Sequence, residues 1–207
     1  MTVGEMLRTI IVAGLSAGFF AASAAGAMAE DLFFFEPVTI NSPILTELRV
    51  GVTFAGVELN EDVLILPASI DPGKVQNLTL EAIYGGIDLD VFNVPGDIRP
   101  VLGASLSLND ADSWAWAGLN YHVTLLDPVF FEFTLGGVVH NGYLENPPEG
   151  RDAYGCRALL YASGGFGVNI NEFSTATVTL DHGSHARACG STNPGFNAIS
   201  LKYGYKF

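Results

Sequence analysis

The sequence predicts an all-β fold, an eight-stranded antiparallel transmembrane β-barrel, and three observations carry that prediction. The C-terminal stretch alternates: Ile199, Leu201, Tyr203, Tyr205 and Phe207 are large and apolar, with Ser200, Lys202, Gly204 and Lys206 between them. A side-chain period of two means a strand with one oily and one wet face. Hydrophobic residues make up 49% of the chain and charged ones only 15%, where a soluble domain usually carries about a quarter charged residues. A lipid-facing surface accounts for the shortfall, because it stays uncharged. Finally, past the N-terminal leader, no stretch approaches the run of roughly 20 apolar residues that a membrane helix needs.

The leader is set aside before the fold is read. Ile10 to Phe20 is an apolar core, and small residues follow it up to Ala27-Met28-Ala29, an A-x-A cleavage pattern; Glu5 offsets Arg8 in the segment before. Cleavage before Glu30 leaves 207 − 29 = 178 residues, one domain by size. The expected division is a signal peptide over 1–29, an N-terminal segment over 30–45 and the barrel over 46–207. A secretory leader, tyrosines near the end of the last strand and a terminal Phe together point to the outer membrane of a Gram-negative bacterium.

Turn chemistry separates eight alternating segments. They are Thr46–Val57, Asn77–Tyr84, Pro100–Leu108, Ser113–Thr124, Val129–His140, Ala158–Ile170, Thr175–Ser184 and Phe196–Phe207. Membrane strands run to about 9–11 residues, so the second is short. Eight is an even count, and the smallest usual for such barrels. With both termini periplasmic, Asp127-Pro128 and Asn171-Glu172 are tight periplasmic turns. Gly142–Gly155 and His185–Gly195 are longer extracellular loops. Gly85–Arg99 is too long for a simple turn; it either extends its flanking strands or carries a small element.

The formal net charge is −13, which argues against nucleic acid as a partner, since its phosphates would be repelled. Cys156 and Cys189 are the only cysteines. In an oxidising compartment a disulfide is the default reading, and no C-x-x-C spacing supports a metal. The barrel topology brings both to the extracellular end of neighbouring strands, which fits a bridge.

The seventh segment carries the chemistry. Ala176, Val178 and Leu180 are its apolar, lipid-facing series, so Thr177, Thr179 and Asp181 face the lumen. His182 and Ser184 continue the outward series, where an imidazole and a hydroxyl are unexpected, because polar groups facing hydrocarbon are costly unless satisfied or interfacial. On the next strand Asn197 shares parity with Ile199 and Leu201 and also projects outward. A histidine, a serine and a side-chain amide thus converge on the membrane face. A serine esterase needs a hydroxyl nucleophile, an imidazole base and a group that fixes the imidazole tautomer. Only a lipid reaches that face.

His182-Gly183-Ser184-His185-Ala186, then Cys189, then Asn193-Pro194-Gly195-Phe196-Asn197, then the strand ending Tyr203-Gly204-Tyr205-Lys206-Phe207, resembles the lipid A 3-O-deacylases (PagL-like acyloxyacyl hydrolases). Arg99–Ala104, Trp116–Leu119, Gly137–Gly142 and Gly155-Cys156-Arg157 look like the alphaproteobacterial branch. The resemblance covers most of Glu47–Phe207. It implies an eight-stranded barrel that removes an ester-linked acyl chain from lipid A, with His182 as base and Ser184 as nucleophile. It also implies no metal and no cofactor, and lipid A or lipopolysaccharide as partner; the sequence carries no signal for oligomeric state. The chain departs from the family in two places. His185 stands where the family has Asn, and the family's acid falls at or next to Asn197, an amide. The acidic surface would repel lipopolysaccharide phosphates, so divalent cations or local arginines must mediate; Arg151, Arg157 and Arg187 lie beside the extracellular regions.

Blander readings stand beside these. His182 and Ser184 read equally as interfacial polar residues, and Asn197 as a cap on the Pro194-Gly195 turn. A metal site from Asp181, His182, His185 and Cys189 is opposed by their placement on opposite strand faces. Gly164-Gly165-Phe166-Gly167 precedes no helix, so its glycines relieve crowding rather than hold phosphate. Asn77-Leu78-Thr79 fits a glycosylation pattern that a bacterial barrel strand gives no meaning. Phe33–Phe35 reads as a membrane-edge anchor. No G-x-S-x-G elbow supports an α/β-hydrolase. A non-enzymatic barrel with a structural or binding role is the alternative, whereas a porin is excluded because eight strands leave only side-chain space inside.

Overall fold

A computed structural model describes residues 44–55, 58–60, 63–69, 75–89, 95–109, 112–149, 151–186, 188–189 and 195–207. The leader expected over 1–29, its cleavage site, Phe33–Phe35, Arg187 and Asn193-Pro194 lie outside them. Eight strands form the barrel: β1 (Leu45–Ala55), β2 (Asn77–Tyr84), β3 (Asp97–Ser107), β4 (Trp114–Leu126), β5 (Val129–His140), β6 (Ala158–Asn171), β7 (Ser174–Ser184) and β8 (Phe196–Lys206). Each pairs antiparallel with its sequence neighbour, and β1 pairs with β8, which closes the sheet. Closure leaves no barrel strand as a free edge. Among the described residues there is no helix.

Alternation places the side chains. In β1 Glu47, Arg49 and Thr53 are buried inside while Leu48 and Val50 face out; in β8 Ser200 and Lys202 point in while Leu201, Tyr203 and Tyr205 point out. The outer wall is therefore apolar, and Phe173, Tyr205 and Phe207 cluster where the last strand ends. That is the aromatic girdle expected of a strand leaving lipid.

The lumen is packed in two zones. Toward the end where the long loops gather, Trp114, Trp116, Val138, Tyr154, Leu159, Tyr161, Phe196 and Ala198 form an apolar cluster. Toward the opposite end sits a buried ion network, in which Arg49 bonds Glu47, Glu81 and Glu132 and Lys202 bonds Glu81 at 3.0 Å. An interior this filled is no channel. Within it two glycines of the Gly164–Gly167 run relieve crowding: a Cβ at Gly165 would meet the Val178 carbonyl oxygen and one at Gly167 the Phe130 ring, whereas one at Gly164 would meet only the Phe133 ring at 3.6 Å.

Most strand ends lie within two residues of the sequence reading, and the larger differences fall at the start of β3, in Gly85–Arg99 and at the β6–β7 turn. β3 begins at Asp97, three residues before Pro100. Proline is tolerated there because β2 pairing stops at Ile83–Val101, so no β2 carbonyl needs a donor from residue 100. Within Gly85–Arg99 only one flanking strand is extended, β3, while β2 ends at Tyr84, and Ile87–Asp88 forms a short ladder on the β3 extension. The turn expected at Asn171-Glu172 lies one residue later, at Glu172-Phe173, where the Asn171 side chain accepts a hydrogen bond from the Phe173 amide at 2.9 Å.

Candidate active site

β7 and β8 are adjacent, and their register sets His182 opposite Asn197. In β7 Thr177, Thr179 and Asp181 are buried in the lumen, so His182 and Ser184, of opposite parity, emerge on the outer wall, both half-buried. Asn197 emerges beside them. His182 Nδ1 lies 2.8 Å from Asn197 Oδ1, and His182 Nε2 lies 3.0 Å from Ser184 Oγ. The imidazole is thus held at both nitrogens, between the amide and the hydroxyl.

The two hydrogen bonds select a tautomer. An amide oxygen accepts only, so the proton on the ring sits on Nδ1 and the Nε2 lone pair faces the serine hydroxyl. That orientation lets histidine take the proton of an attacking hydroxyl. Gly195 closes the arrangement from the loop side, with φ 62°. This left-handed conformation suits glycine. A Cβ there would also come 2.6 Å from the Gly183 carbonyl oxygen, 3.3 Å from Ser184 Cβ and 3.5 Å from His182 Cε1. Residue 195 therefore touches the site, a role that the Pro194-Gly195 turn signal left unstated.

Asp181, the acid nearest in sequence, does not join this group. It is buried in the lumen, where Tyr161, Ser163 and Thr179 donate to its Oδ1 at 3.0, 2.6 and 3.1 Å and Ser200 donates to its Oδ2 at 2.6 Å. His185 turns inward as well; its Nδ1 accepts from the Cys189 amide at 3.4 Å. Its ring rests over Gly155, where a Cβ would stand 3.1 Å from Nε2. Cys156 and Cys189 form a disulfide with a Cα–Cα distance of 5.8 Å, tying the start of β6 to the loop that leaves Ser184. Among the described residues no group of three or more His, Cys, Asp or Glu side chains is placed to hold a metal.

Comparison with known proteins gives a family match and a set of similar structures. Residues 105–206 match the family model of lipid A 3-O-deacylase (PagL). No curated protein matches the sequence. Among solved structures, the outer membrane enzyme PagL is similar at 15% identity and TM-score 0.47, covering 77% of this chain and 97% of that one. Ail, the attachment invasion locus protein of Yersinia pestis, is similar at 10% identity and TM-score 0.44, covering 80% and 100%. A de novo designed transmembrane β-barrel is similar at 10% identity and TM-score 0.41, covering 81% and 98%. The matched segment runs from the third strand through the eighth and contains His182, Ser184 and Asn197; over residues 105–206 the chain is similar to the lipid A 3-O-deacylase (PagL) family.

Proposed function

We propose that this protein is an outer-membrane esterase that hydrolyses an ester-linked acyl chain of lipid A, with Ser184 as nucleophile, His182 as general base and Asn197 orienting the imidazole. The observation that carries the reading is the pair of hydrogen bonds from one outward-facing imidazole to Ser184 and Asn197. Ser184 Oγ attacks the ester carbonyl and its proton passes to His182 Nε2. The imidazolium then protonates the departing sugar oxygen. Water, deprotonated by the same imidazole, releases the fatty acid and regenerates the serine. A triad on the outer wall meets a substrate already dissolved in the bilayer. In this reading residues 1–29 direct export and are removed, and the loop end faces outside the cell.

Incubation of the reconstituted protein with lipid A, followed by mass spectrometry, tests it directly. Loss of one acyl mass is expected, and its loss should be abolished in Ser184→Ala. Undiminished hydrolysis by Ser184→Ala would remove the assigned nucleophile.

One observation favours a second reading. The third member of the constellation is an amide, which cannot stabilise an imidazolium as a carboxylate does. A barrel of this lineage with weak or lost activity, serving a structural or binding role, would show no acyl loss in the wild type.

A further inference from the structure

Outside the triad, the loop end holds a polar cleft of about 730 Å³ whose lining includes Asp112, Asn141, Tyr143, Glu145, Arg151 and Arg157. Its two arginines are in different states. Arg151 is committed: it pairs with Asp112 at 2.5 Å and lies 5.6 Å from the centre of the Tyr143 ring. Asp112 also accepts from the Tyr154 hydroxyl at 2.9 Å. Burial, reinforced by that carboxylate, pushes the phenol above its usual range, so it remains a donor. Arg157 is held but not neutralised. Its Nη1 donates to the carbonyls of His140 and Gly142, both at 2.9 Å. That leaves the Nε and Nη2 edge of an exposed guanidinium, with no carboxylate among the described residues within ion-pair distance. Arg49, Arg99, Arg151 and Lys202 each lie against a carboxylate, and Lys206 sits at the opposite end of the barrel on Asn169. A fixed, planar, unpaired donor edge suits the oxygens of a phosphate.

Position relates this edge to the triad. Ser184 pairs with Leu160 on β6, and Arg157 precedes Leu160 by three residues, a rise of about 10 Å toward the loop end. The neighbouring Cys156 is bonded to Cys189 in the loop leaving Ser184. Arg157 thus stands on the water side of the nucleophile. There the headgroup of a lipid lies when its ester is at Ser184.

We propose that Arg157 binds a phosphate on the sugar headgroup of the lipid substrate, so that the cleft fixes the headgroup while the acyl ester is presented to Ser184. This rests on the lipid A reading above. The remaining lining fits a sugar: Asn141 uses its Oδ1 on the Ser113 amide at 2.7 Å and keeps its NH2 to donate, and Glu145, the other carboxylate of the lining, can accept from hydroxyls. In a chain of net charge −13, a local unpaired cation overcomes the repulsion that the whole surface exerts on phosphate.

The test measures binding, so it does not depend on turnover. Full-length Ser184→Ala protein in phosphatidylcholine nanodiscs is titrated with bisphosphorylated lipid A and with the same lipid after phosphatase treatment. Dephosphorylation should weaken binding about tenfold or more. With Arg157→Gln added, that protein should bind both lipids as Ser184→Ala alone binds the dephosphorylated one, and Arg157→Lys in its place should restore part of the preference. Equal binding of the two lipids by the Ser184→Ala protein overturns the proposal without any change at residue 157, as does a preference that survives in Arg157→Gln. Displacement of lipid A by inorganic phosphate at comparable concentration would mark a free-phosphate site and remove the headgroup assignment. A phosphate preference in a wild type that releases no acyl chain would uphold the headgroup site and sink the hydrolase reading instead.

Discussion

His182 and Asn197 are cross-strand partners on β7 and β8, and their side chains meet on the outer wall with Nδ1 and Oδ1 2.8 Å apart. The amide does one of the two things an acid does at this position. It fixes which nitrogen carries the proton, but it adds no negative charge as the imidazole becomes cationic. An amide can also turn over and present its NH2, which would draw the ring proton to Nε2 and silence the base. Asn197→Asp keeps the shape and removes both defects. Its rate of acyl release is expected to exceed that of wild type by at least about tenfold, since the reverse exchange in a serine-protease triad costs about 10⁴. Asn197→Leu is expected to fall below wild type. A time course of lipid A deacylation for the three proteins checks the order, and an Asp variant no faster than wild type would show that Asn197 does not orient the base.

Asp181 supplies the opposite expectation. Its carboxyl accepts hydrogen bonds from four hydroxyls, those of Tyr161, Ser163, Thr179 and Ser200, inside the barrel. Asp181→Asn should therefore lower stability by about 2 kcal/mol through weakened charge-assisted bonds, while the folded fraction hydrolyses lipid A at a rate within a few-fold of wild type. Unfolding in urea and a deacylation assay on the same preparation separate the two effects. A collapse of the rate without loss of stability would make Asp181 part of the site.

Strand parity makes most of this legible in the sequence. Alternation alone sends His182, Ser184 and Asn197 to one face and Asp181 to the other, and the contacts follow that division. Pro100 hid the start of β3, because a proline signals a boundary unless the neighbouring strand has already stopped pairing. Phe173 hid the β6–β7 turn, because an apolar residue there resembles strand. His185 continues the inward parity of Asp181, but it lies past the end of β7, so alternation does not fix its seat over Gly155 beside the bonded Cys189. The ion network was visible only as inward-parity charges on separate strands, with nothing to say which acid meets which base.

The Cys156–Cys189 bond closes a separation of 33 residues, for which chain entropy gives about 3–4 kcal/mol of stabilisation. It also ties down the loop between the strands that carry Ser184 and Asn197. Cys156→Ser/Cys189→Ser should unfold at lower denaturant concentration, with faster amide exchange near His185, Ala188 and Gly195. Acyl release should fall even where the barrel stays folded. Hydrogen exchange measured beside the deacylation rate checks both, and an unchanged rate would leave the bond a purely structural clasp.

Arg49 makes the strongest demand on the barrel interior. The residue is 3% exposed, and its guanidinium lies against Glu47, Glu81 and Glu132 at 2.9, 3.2 and 2.6 Å. Arg49→Met keeps much of the volume but strands three carboxylates with only Lys202 and Arg99 to balance them. Uncompensated buried charge of this kind costs about 3–5 kcal/mol. The variant should show a large fall in urea midpoint, whereas Lys206→Ala, which removes a contact to Asn169 at the barrel end, should change stability by no more than about 0.5 kcal/mol. His182, Ser184 and Asn197 lie at the other end, so refolded Arg49→Met should retain the hydrolysis rate expected of the wild type. Equal midpoints for the two variants would mean that water reaches the network and screens it, and the filled lumen described above would be wrong.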